Sequence, residues 1–231
     1  MKIAVIPARG GSKRIPRKNI RSFLGKPIIS YSIEAAKKSG LFDVIIVSTD
    51  DNEIAKIAIS YGAKVPFIRP KYLSGDRAST HAVMKHAVKW AHKNYNINKD
   101  CFFCCIYPTA PFLLEIDLLE GYELINSGYW KMTFSATSYS YPVSRSFYMV
   151  DNGGIKMFFP KEYKSRSQDL AVSYHDAGMF YWASSEVWNS SDISFSSRST
   201  IVKLPEWRVK DIDTLDDWKY AEQKYILLKQ W

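Results

Sequence analysis

The sequence predicts an α/β fold with a Rossmann-like, mainly parallel sheet that is covered by helices on both faces. Apolar stretches of strand length alternate along the chain with stretches whose apolar residues recur at helical spacing. The strand-length stretches are apolar throughout, as in strands that are buried on both faces of a parallel sheet. The chain has 231 residues, which is enough for one sizeable domain and short for two. We therefore expect a single domain over residues 1–231.

The predicted elements follow one another in chain order. Buried strands are expected at Lys2–Ile6, Asp43–Ser48, Val65–Ile68, Cys101–Tyr107 and Ile201–Leu204. Helices are expected at Ile28–Ser39, Asn52–Tyr61, Ser79–Asn94 and roughly Leu215–Lys229. A glycine follows each of the first two helices, where helices commonly end.

One segment departs from this alternation. Between approximately residues 133 and 182 the sequence is rich in Ser, Tyr and Phe, and Asp151-Asn152-Gly153-Gly154 is a strong turn signal. We interpret 133–182 as a small β-rich insertion. Its aromatic residues, among them Phe158, Phe159 and Tyr163, are too many for an exposed loop, so we expect a homodimer interface there.

Composition narrows the class of function. The chain carries 32 Lys and Arg against 23 Asp and Glu, a net charge of +9, which suits phosphorylated substrates, nucleic acid or an anionic membrane. No apolar run approaches the roughly 18 residues that span a bilayer, and the apolar N-terminus is too short for a signal peptide. We therefore expect a cytoplasmic protein without a membrane partner. Cys101, Cys104 and Cys105 cluster in one apolar stretch and are expected to be buried free thiols.

The densest positive charge lies in a loop directly after the first strand, PARGGSKRIPRKN at residues 7–19. Gly10 and Gly11 let the backbone turn sharply and offer free N–H groups to a ligand. The cations around them, which suit a triphosphate, are Arg9, Lys13, Arg14, Arg17 and Lys18. The spacing matches neither a Walker A loop nor the GxGxxG fingerprint. A solvated basic surface and an RNA-binding arm are competing interpretations, but the position after a buried strand favours phosphate.

Two carboxylates near the C-terminus form a candidate metal site. Asp211 and Asp213 are separated by one residue, so in a strand both side chains point to the same side. Such a pair suits Mg²⁺, with phosphate oxygens and water completing the octahedron. Alternatively, Asp213 caps a helix that starts near Thr214, with Asp216 at its third position. Both interpretations of Asp213 can hold at once.

A third group of polar residues lies in the predicted insertion. Arg166 offers a planar fork that binds a carboxylate through two hydrogen bonds. His175 next to Asp176 suggests acid–base chemistry. Adjacent side chains rarely face each other, however, so a structural or substrate-positioning role is favoured for His175.

Four segments, spread almost from end to end of the chain, together resemble the CMP-sialate synthetase (acylneuraminate cytidylyltransferase) family. IPARGGSKRIPRKN resembles the family's nucleotide loop, and Ser48-Thr49-Asp50 resembles its strand-end STD element. The segment from Arg69 to Ala78 resembles its RPxxLxxDxA motif, and Asp211-Ile212-Asp213 its metal-binding pair.

The resemblance implies a nucleotide-diphosphosugar-transferase-like domain in which the insertion mediates dimerisation and covers the partner's site. By position in the motif, the residues that would contact the CTP phosphates and ribose are Arg9, Ser12, Lys13, Lys18 and Asn19. Gly10, Gly11 and Arg14 of the same loop would belong to the same nucleotide site. Arg69, Ala78 and Thr80 would line the pocket for cytosine and ribose, and Asp211 and Asp213 would bind Mg²⁺.

The residues at the expected sugar-binding positions differ from those of the typical sialate enzyme. Where that enzyme reads QPTSP, this chain reads YPTAP at residues 107–111, and IYPTAPF, RSQDL and YHDAG resemble the pseudaminic acid branch of the family. The implied sugar contacts are Tyr107, Thr109, Arg166, Gln168 and Tyr174. A tyrosine in place of a glutamine favours a less hydroxylated nine-carbon sugar.

The implied reaction joins CTP and an acidic nine-carbon sugar to give a CMP-sugar and pyrophosphate. Lys18 and Lys13 would stabilise developing phosphate charge together with Mg²⁺, and Asp211 is the candidate general base. Alternatives are a CMP-N-acetylneuraminate or CMP-legionaminate synthetase, transfer to an eight-carbon acidic sugar, and a module that binds RNA and is not an enzyme.

Overall fold

The structure, a computed structural model, describes residues 1–95, 97, 101–190 and 196–229. Its strands are β1 Lys2–Pro7, β2 Ser22–Phe23, β3 Lys26–Pro27, β4 Val44–Ser48, β5 Phe102–Ile106, β6 Met132–Ser138, β7 Phe147–Met149, β8 Ile155–Met157, β9 Tyr174–Ser184 and β10 Ser199–Lys203. Its α-helices are α1 Ile28–Lys38, α2 Asn52–Ser60, α3 Thr80–Asn94, α4 Glu115–Asn126, α5 Ser185–Asn189 and α6 Leu215–Leu228. Among these described helices, none has the length and apolar character needed to cross a bilayer.

Six strands form one twisted central sheet in the order β10-β6-β9-β5-β1-β4. Strand β9 pairs antiparallel with both of its neighbours, and the remaining five strands run in one direction. The predicted α/β class with a mainly parallel sheet is confirmed. In β1 the four central residues are completely buried, because helices cover the sheet on both faces.

The core lies in two apolar layers, one on each face of the sheet. One layer includes side chains from α1, α4 and α6, such as Ile33, Leu118 and Trp218. The other includes side chains from α3 and α5, such as Met84 and Trp188. The apolar residues at helical spacing therefore form the face by which each helix packs on the sheet, as the sequence pattern indicates.

The predicted strand at Val65–Ile68 is wrong. Only isolated bridges join this part of the chain to the sheet edge, one from Lys64, directly before the segment, to Ile46 and one from Ile68 to Thr49. Pro66 explains the interruption, because proline lacks the N–H group that a continuous strand pairing needs.

Helix α4 was absent from the predicted elements. It carries Gly121 in its middle, which weakens the helical signal of the sequence. The structure shows why glycine is suited to that position: an added Cβ would lie 2.8 Å from the ring of Phe180 and 2.9 Å from that of Trp182. The missing side chain lets the helix approach the sheet closely.

The β-rich insertion is narrower than 133–182, because β6 and β9 at its two ends are strands of the central sheet. The segment outside the sheet runs over residues 139–173. It contains the antiparallel hairpin β7–β8, whose turn lies at the predicted Asp151–Gly154 signal with Gly153 at φ +82°.

The three cysteines are free and buried, as predicted. Burial raises the pKa of the Cys101 thiol to about 11, and that of Cys105 further. These thiols stay protonated at neutral pH and belong to the core.

Candidate active site

A cleft of about 650 Å³ opens at the carboxyl ends of the parallel strands, where α/β sheets commonly bind ligands. The loop after β1, the 69–80 segment before and into α3, and the residues after β5 surround it. Eleven residues predicted from the sequence line the cleft: Arg9, Ser12, Lys13, Arg14, Lys18, Asn19, Arg69, Ala78, Thr80, Tyr107 and Thr109. Lining residues that were not predicted include Leu73, Asp76, Val83 and Pro108.

Gly10 and Gly11 belong to the loop but are not among the lining residues. The backbone N–H of Gly10 donates to Asp50 Oδ1 at 2.9 Å, and a Cβ at Gly10 would lie 2.7 Å from Asp51 Oδ2. A Cβ at Gly11 would meet open space instead. Glycine is therefore required sterically at Gly10, where the loop presses against the carboxyl end of β4.

Asn19 is buried, and its side-chain amide donates to the Arg9 carbonyl at 2.9 Å. This bond ties the two ends of the loop together. Asn19 is predicted to contact the nucleotide, and it also has a structural role, because its amide fixes the position of the loop that carries Arg9.

A salt bridge fixes the far end of the same loop to helix α2. Arg17 has a left-handed backbone, φ 56°, and its guanidinium donates to the carboxylates of Asp51 and Glu53. Asp51 also caps α2 by accepting the N–H groups of Glu53 at 2.9 Å and Ile54 at 3.0 Å. The Arg17 guanidinium holds the pKa of Asp51 down at about 2.

Replacing Asp51 by Asn is expected to lower the melting temperature at neutral pH by about 2–4 °C. Asparagine keeps the helix cap but loses the charge that faces Arg17. Because the folded pKa of Asp51 is depressed from 3.8 to about 2, its stabilisation exists above pH 4 and disappears as pH falls toward 2. The difference between wild type and Asp51→Asn in thermal unfolding should therefore shrink between pH 4 and pH 2, and a constant difference would contradict this assignment.

The remaining loop cations are paired with carboxylates on both rims of the cleft. Asp76 accepts from Arg9 and Lys13, each at 2.6 Å, and the two cations depress the pKa of Asp76. On the opposite rim, Asp213 contacts Arg14 at 2.5 Å and Lys18 Nζ at 3.4 Å. An anionic ligand that enters the cleft therefore competes with these exposed pairs for the cations.

Lys18 is the most enclosed of the loop lysines, and its Nζ donates to the Ile212 carbonyl at 2.7 Å. This bond ties the loop to the segment before α6. Lys18 is thereby held at the edge of the cleft beside Asp213.

Arg69 is only 4% exposed, yet its Nε and one terminal nitrogen have no hydrogen-bond partner. The closest carboxylate oxygen, Asp50 Oδ1, is 3.7 Å away. Burial lowers the pKa of the guanidinium. Buried donors without partners are uncommon, and these belong to a residue that lines the cleft, where a ligand could supply the missing acceptors.

Neither carboxylate of the predicted metal pair is among the residues that line the cleft, and Asp213 lies beside it through its contacts with Arg14 and Lys18. Residues 211–213 are not a strand, contrary to prediction. Asp213 does not cap α6 either, since Thr214 is the cap residue and forms a capping box with Asp217. Asp211 is exposed.

The donor set fits the expected metal. Within the described residues, no group of three or more His, Cys, Asp or Glu side chains is placed to hold an ion. Mg²⁺ needs fewer, because one or two carboxylates with water and substrate phosphates complete its shell. Asp211 and Asp213 supply two carboxylates, and Asp213 lies at the rim of the cleft in contact with Arg14 and Lys18.

The three remaining residues predicted to contact the sugar, Arg166, Gln168 and Tyr174, are exposed and do not line the cleft. They lie in or directly after the 139–173 segment. His175 uses its Nδ1 in a 2.9 Å contact with the Asp176 carbonyl and packs its ring against Tyr139. Within one chain these residues are separate from the cations of the cleft.

Comparisons with known proteins place the chain among cytidylyltransferases. A family model described as "Cytidylyltransferase" matches residues 3–145. The chain is 48% identical to a pseudaminic acid cytidylyltransferase of Campylobacter jejuni over 96% of this chain and 95% of that protein. It is 30% identical to an N-acylneuraminate cytidylyltransferase of Escherichia coli over 95% of this chain and 51% of that protein.

Solved structures show the same fold at low identity. A CMP:2-keto-3-deoxy-manno-octonic acid synthetase complexed with CTP is 17% identical, with a TM-score of 0.71 over 100% of this chain and 99% of that chain. A 4-diphosphocytidyl-2C-methyl-D-erythritol synthase is 10% identical, with a TM-score of 0.69 over 97% of this chain and 98% of that chain.

Proposed function

This chain belongs to the cytidylyltransferase family, and from that premise we propose that it joins CTP to pseudaminic acid, giving a CMP-sugar and pyrophosphate. The observation that carries the proposal is the 48% identity to a pseudaminic acid cytidylyltransferase along almost the whole of both chains. The cation-lined cleft and the two buried Arg69 nitrogens that lack a hydrogen-bond partner support it, because a nucleoside triphosphate supplies both anions and acceptors.

In the proposed reaction, the anomeric hydroxyl of the sugar attacks the α-phosphorus of CTP in line, and pyrophosphate leaves. Lys18 and Lys13 hold positive charge near the transferring phosphate, where negative charge grows in the transition state. The backbone turn at Gly10 and Gly11 keeps the loop close to the phosphates. Arg69 and Thr80 bind the nucleoside, with Ala78 beside them.

Asp211 and Asp213 would hold Mg²⁺ beside the phosphates. When bound, the metal supplies Lewis-acid stabilisation of phosphate charge. Binding requires Asp213 to exchange its contact with Arg14, which frees that guanidinium for the nucleotide phosphates. Asp211 also remains the candidate base for the sugar hydroxyl. Undiminished activity after complete chelation of divalent ions would refute the metal site.

The preferred sugar is expected to be pseudaminic acid over N-acetylneuraminate by a factor of about 100 or more in kcat/KM. Tyr107 lines the cleft with a half-buried ring and one hydroxyl, so a polar sugar chain would leave hydroxyls unpaired there. The measurement is pyrophosphate release from CTP with both sugars and with an eight-carbon acidic sugar under one set of conditions. Equal values, or a preference for N-acetylneuraminate, would exclude pseudaminic acid as the proper substrate.

The 139–173 segment would form a homodimer interface. Its large apolar side chains stay exposed in the part of the chain that the structure describes, namely Phe147, Met149, Ile155, Phe158, Phe159 and Tyr163. Because Arg166 lies in the same segment and away from its own cleft, the proposal places it at the partner's cleft, on the sugar carboxylate. The expected cytoplasmic location remains part of this proposal.

Mixing two inactive variants is expected to restore activity if Arg166 acts in the partner's site. A dimer of Lys18→Ala with Arg166→Ala has one site with both residues intact, so random mixing gives about a quarter of wild-type activity. The measurement is turnover after co-refolding or co-expression, with light scattering at micromolar concentration for the oligomeric state. A monomer with full activity, or a mixture with no regained activity, would contradict the shared site.

A further inference from the structure

One carboxylate neutralises two cations of the loop after β1. Asp76 Oδ1 accepts from the Arg9 guanidinium at 2.6 Å, and Asp76 Oδ2 lies 2.6 Å from Lys13 Nζ. In the part of the chain that the structure describes, these are the only salt bridges of Arg9 and Lys13. All three residues line the cleft. The carboxylate therefore holds both cations at the place where they would meet an anionic ligand.

The position of Asp76 in the chain leaves its side chain free to turn away. Residues 75–77 are exposed, and they lie between the buried Leu73 and Ser79, whose hydroxyl caps α3. Among the described residues, the salt bridges of Asp76 go to Arg9 and Lys13 alone. The carboxylate can therefore leave the two cations without disturbing the packing of the core.

A ligand that binds to Arg9 and Lys13 must displace this carboxylate. Exposed ion pairs are weak, about 1.5- to 5-fold each in an equilibrium constant, so a triphosphate with several negative charges can displace Asp76. The displacement nevertheless lowers the affinity for every phosphate group that binds at these cations. The same reduction applies to pyrophosphate, which the proposed reaction releases in the cleft.

We propose that Asp76 is an internal competitor for Arg9 and Lys13, which weakens the binding of pyrophosphate and so helps it to leave after the reaction. The proposal rests on the proposed function, because that reaction produces pyrophosphate in the cleft. As pyrophosphate leaves, the carboxylate returns to both cations and replaces the negative charge that they lose. With a neutral side chain at position 76, the two cations would lack this counter-ion in the empty cleft and would hold phosphate groups more tightly.

Calorimetry with pyrophosphate, CTP and cytidine at one Mg²⁺ concentration tests the proposal on Asp76→Asn. The amide has nearly the size of the carboxylate but carries no charge. We therefore expect pyrophosphate and CTP to bind about three- to tenfold more tightly than to wild type. Cytidine has no phosphate, so its affinity should not change. In turnover, pyrophosphate should inhibit the variant at a concentration that is lower by the same factor.

Two control variants separate local competition from the overall charge of the protein. Glu34→Gln also removes one negative charge and one salt bridge, to Lys26, but Glu34 does not line the cleft, so pyrophosphate affinity should equal that of wild type. Asp76→Glu keeps the competing charge and should remain close to wild type. Unchanged or weaker pyrophosphate binding in Asp76→Asn would overturn the proposal, and weaker binding would show that Asp76 orients the two cations for phosphate.

Failure of the proposed function gives a different result. Binding of pyrophosphate and CTP requires no sugar, so the tighter binding to Asp76→Asn would persist even if wild type released no pyrophosphate with any acidic sugar. If neither ligand bound to wild type, both proposals would be wrong.

Discussion

Arg69→Met is expected to weaken CTP binding by about 100-fold or more while leaving the ligand-free protein as stable as wild type, or more stable. The guanidinium is buried with donors that have no partner, which costs stability in the absence of ligand. Methionine fills a similar volume without charge and removes that cost. The same substitution removes the donors that the nucleotide would engage, so stability and affinity should move in opposite directions.

Thermal unfolding with and without saturating CTP measures both quantities. In wild type the ligand should raise the melting temperature by mass action, and in Arg69→Met that increase should vanish. Arg77→Met is the matched control, because Arg77 is exposed in the same segment and does not line the cleft. If Arg69→Met melted several degrees lower than wild type and CTP still raised its melting temperature by the full amount, Arg69 would serve the stability of the fold and not nucleotide binding.

Lys18→Ala is expected to lower kcat on the order of 100-fold with a smaller change in the KM for CTP. The Nζ of Lys18 is held by the Ile212 carbonyl at 2.7 Å, so its charge is fixed before the substrate binds. A preorganised charge is worth most where negative charge increases during the reaction, which is at the transferring phosphate.

Steady-state kinetics with CTP as the varied substrate separates the two constants. Lys71→Ala is a suitable control, since Lys71 is exposed and outside the residues that line the cleft. If Lys18→Ala raised KM and spared kcat, Lys18 would serve ground-state binding only.

Much of the fold was predictable because its strands are local apolar runs and its helices show clear spacing. The cleft was predictable because a loop that follows a buried parallel strand lies at the carboxyl edge of the sheet. Arg9, Lys13 and Lys18 of this loop were therefore expected to lie together there. Arg69, in contrast, entered the prediction through the family motif. Its sequence neighbours do not reveal that its donors are buried without partners.

What the sequence did not reveal depends on tertiary contacts. Helix α4 was missed because Gly121 lowers local helical propensity, and only the rings of Phe180 and Trp182 explain it. Asp76 was read as part of a motif, while its pairing with Arg9 and Lys13 crosses more than 60 positions in sequence. The hydrogen bond from Tyr181 to Asp176 depends on a register shift between β6 and β9 that no local pattern specifies.

The position of β9 in the sheet has a consequence for synthesis of the chain. This strand fills the gap between β5 and β6, although it follows both of them in sequence and is separated from β6 by the 139–173 segment. While a ribosome is still making that segment, one edge of β5 has no partner strand. The part of the chain already made then has an exposed sheet edge that can pair with strands of other chains. A truncated messenger, or a protease cut inside the segment, would therefore yield an aggregating fragment, even though that fragment contains every cation of the loop after β1.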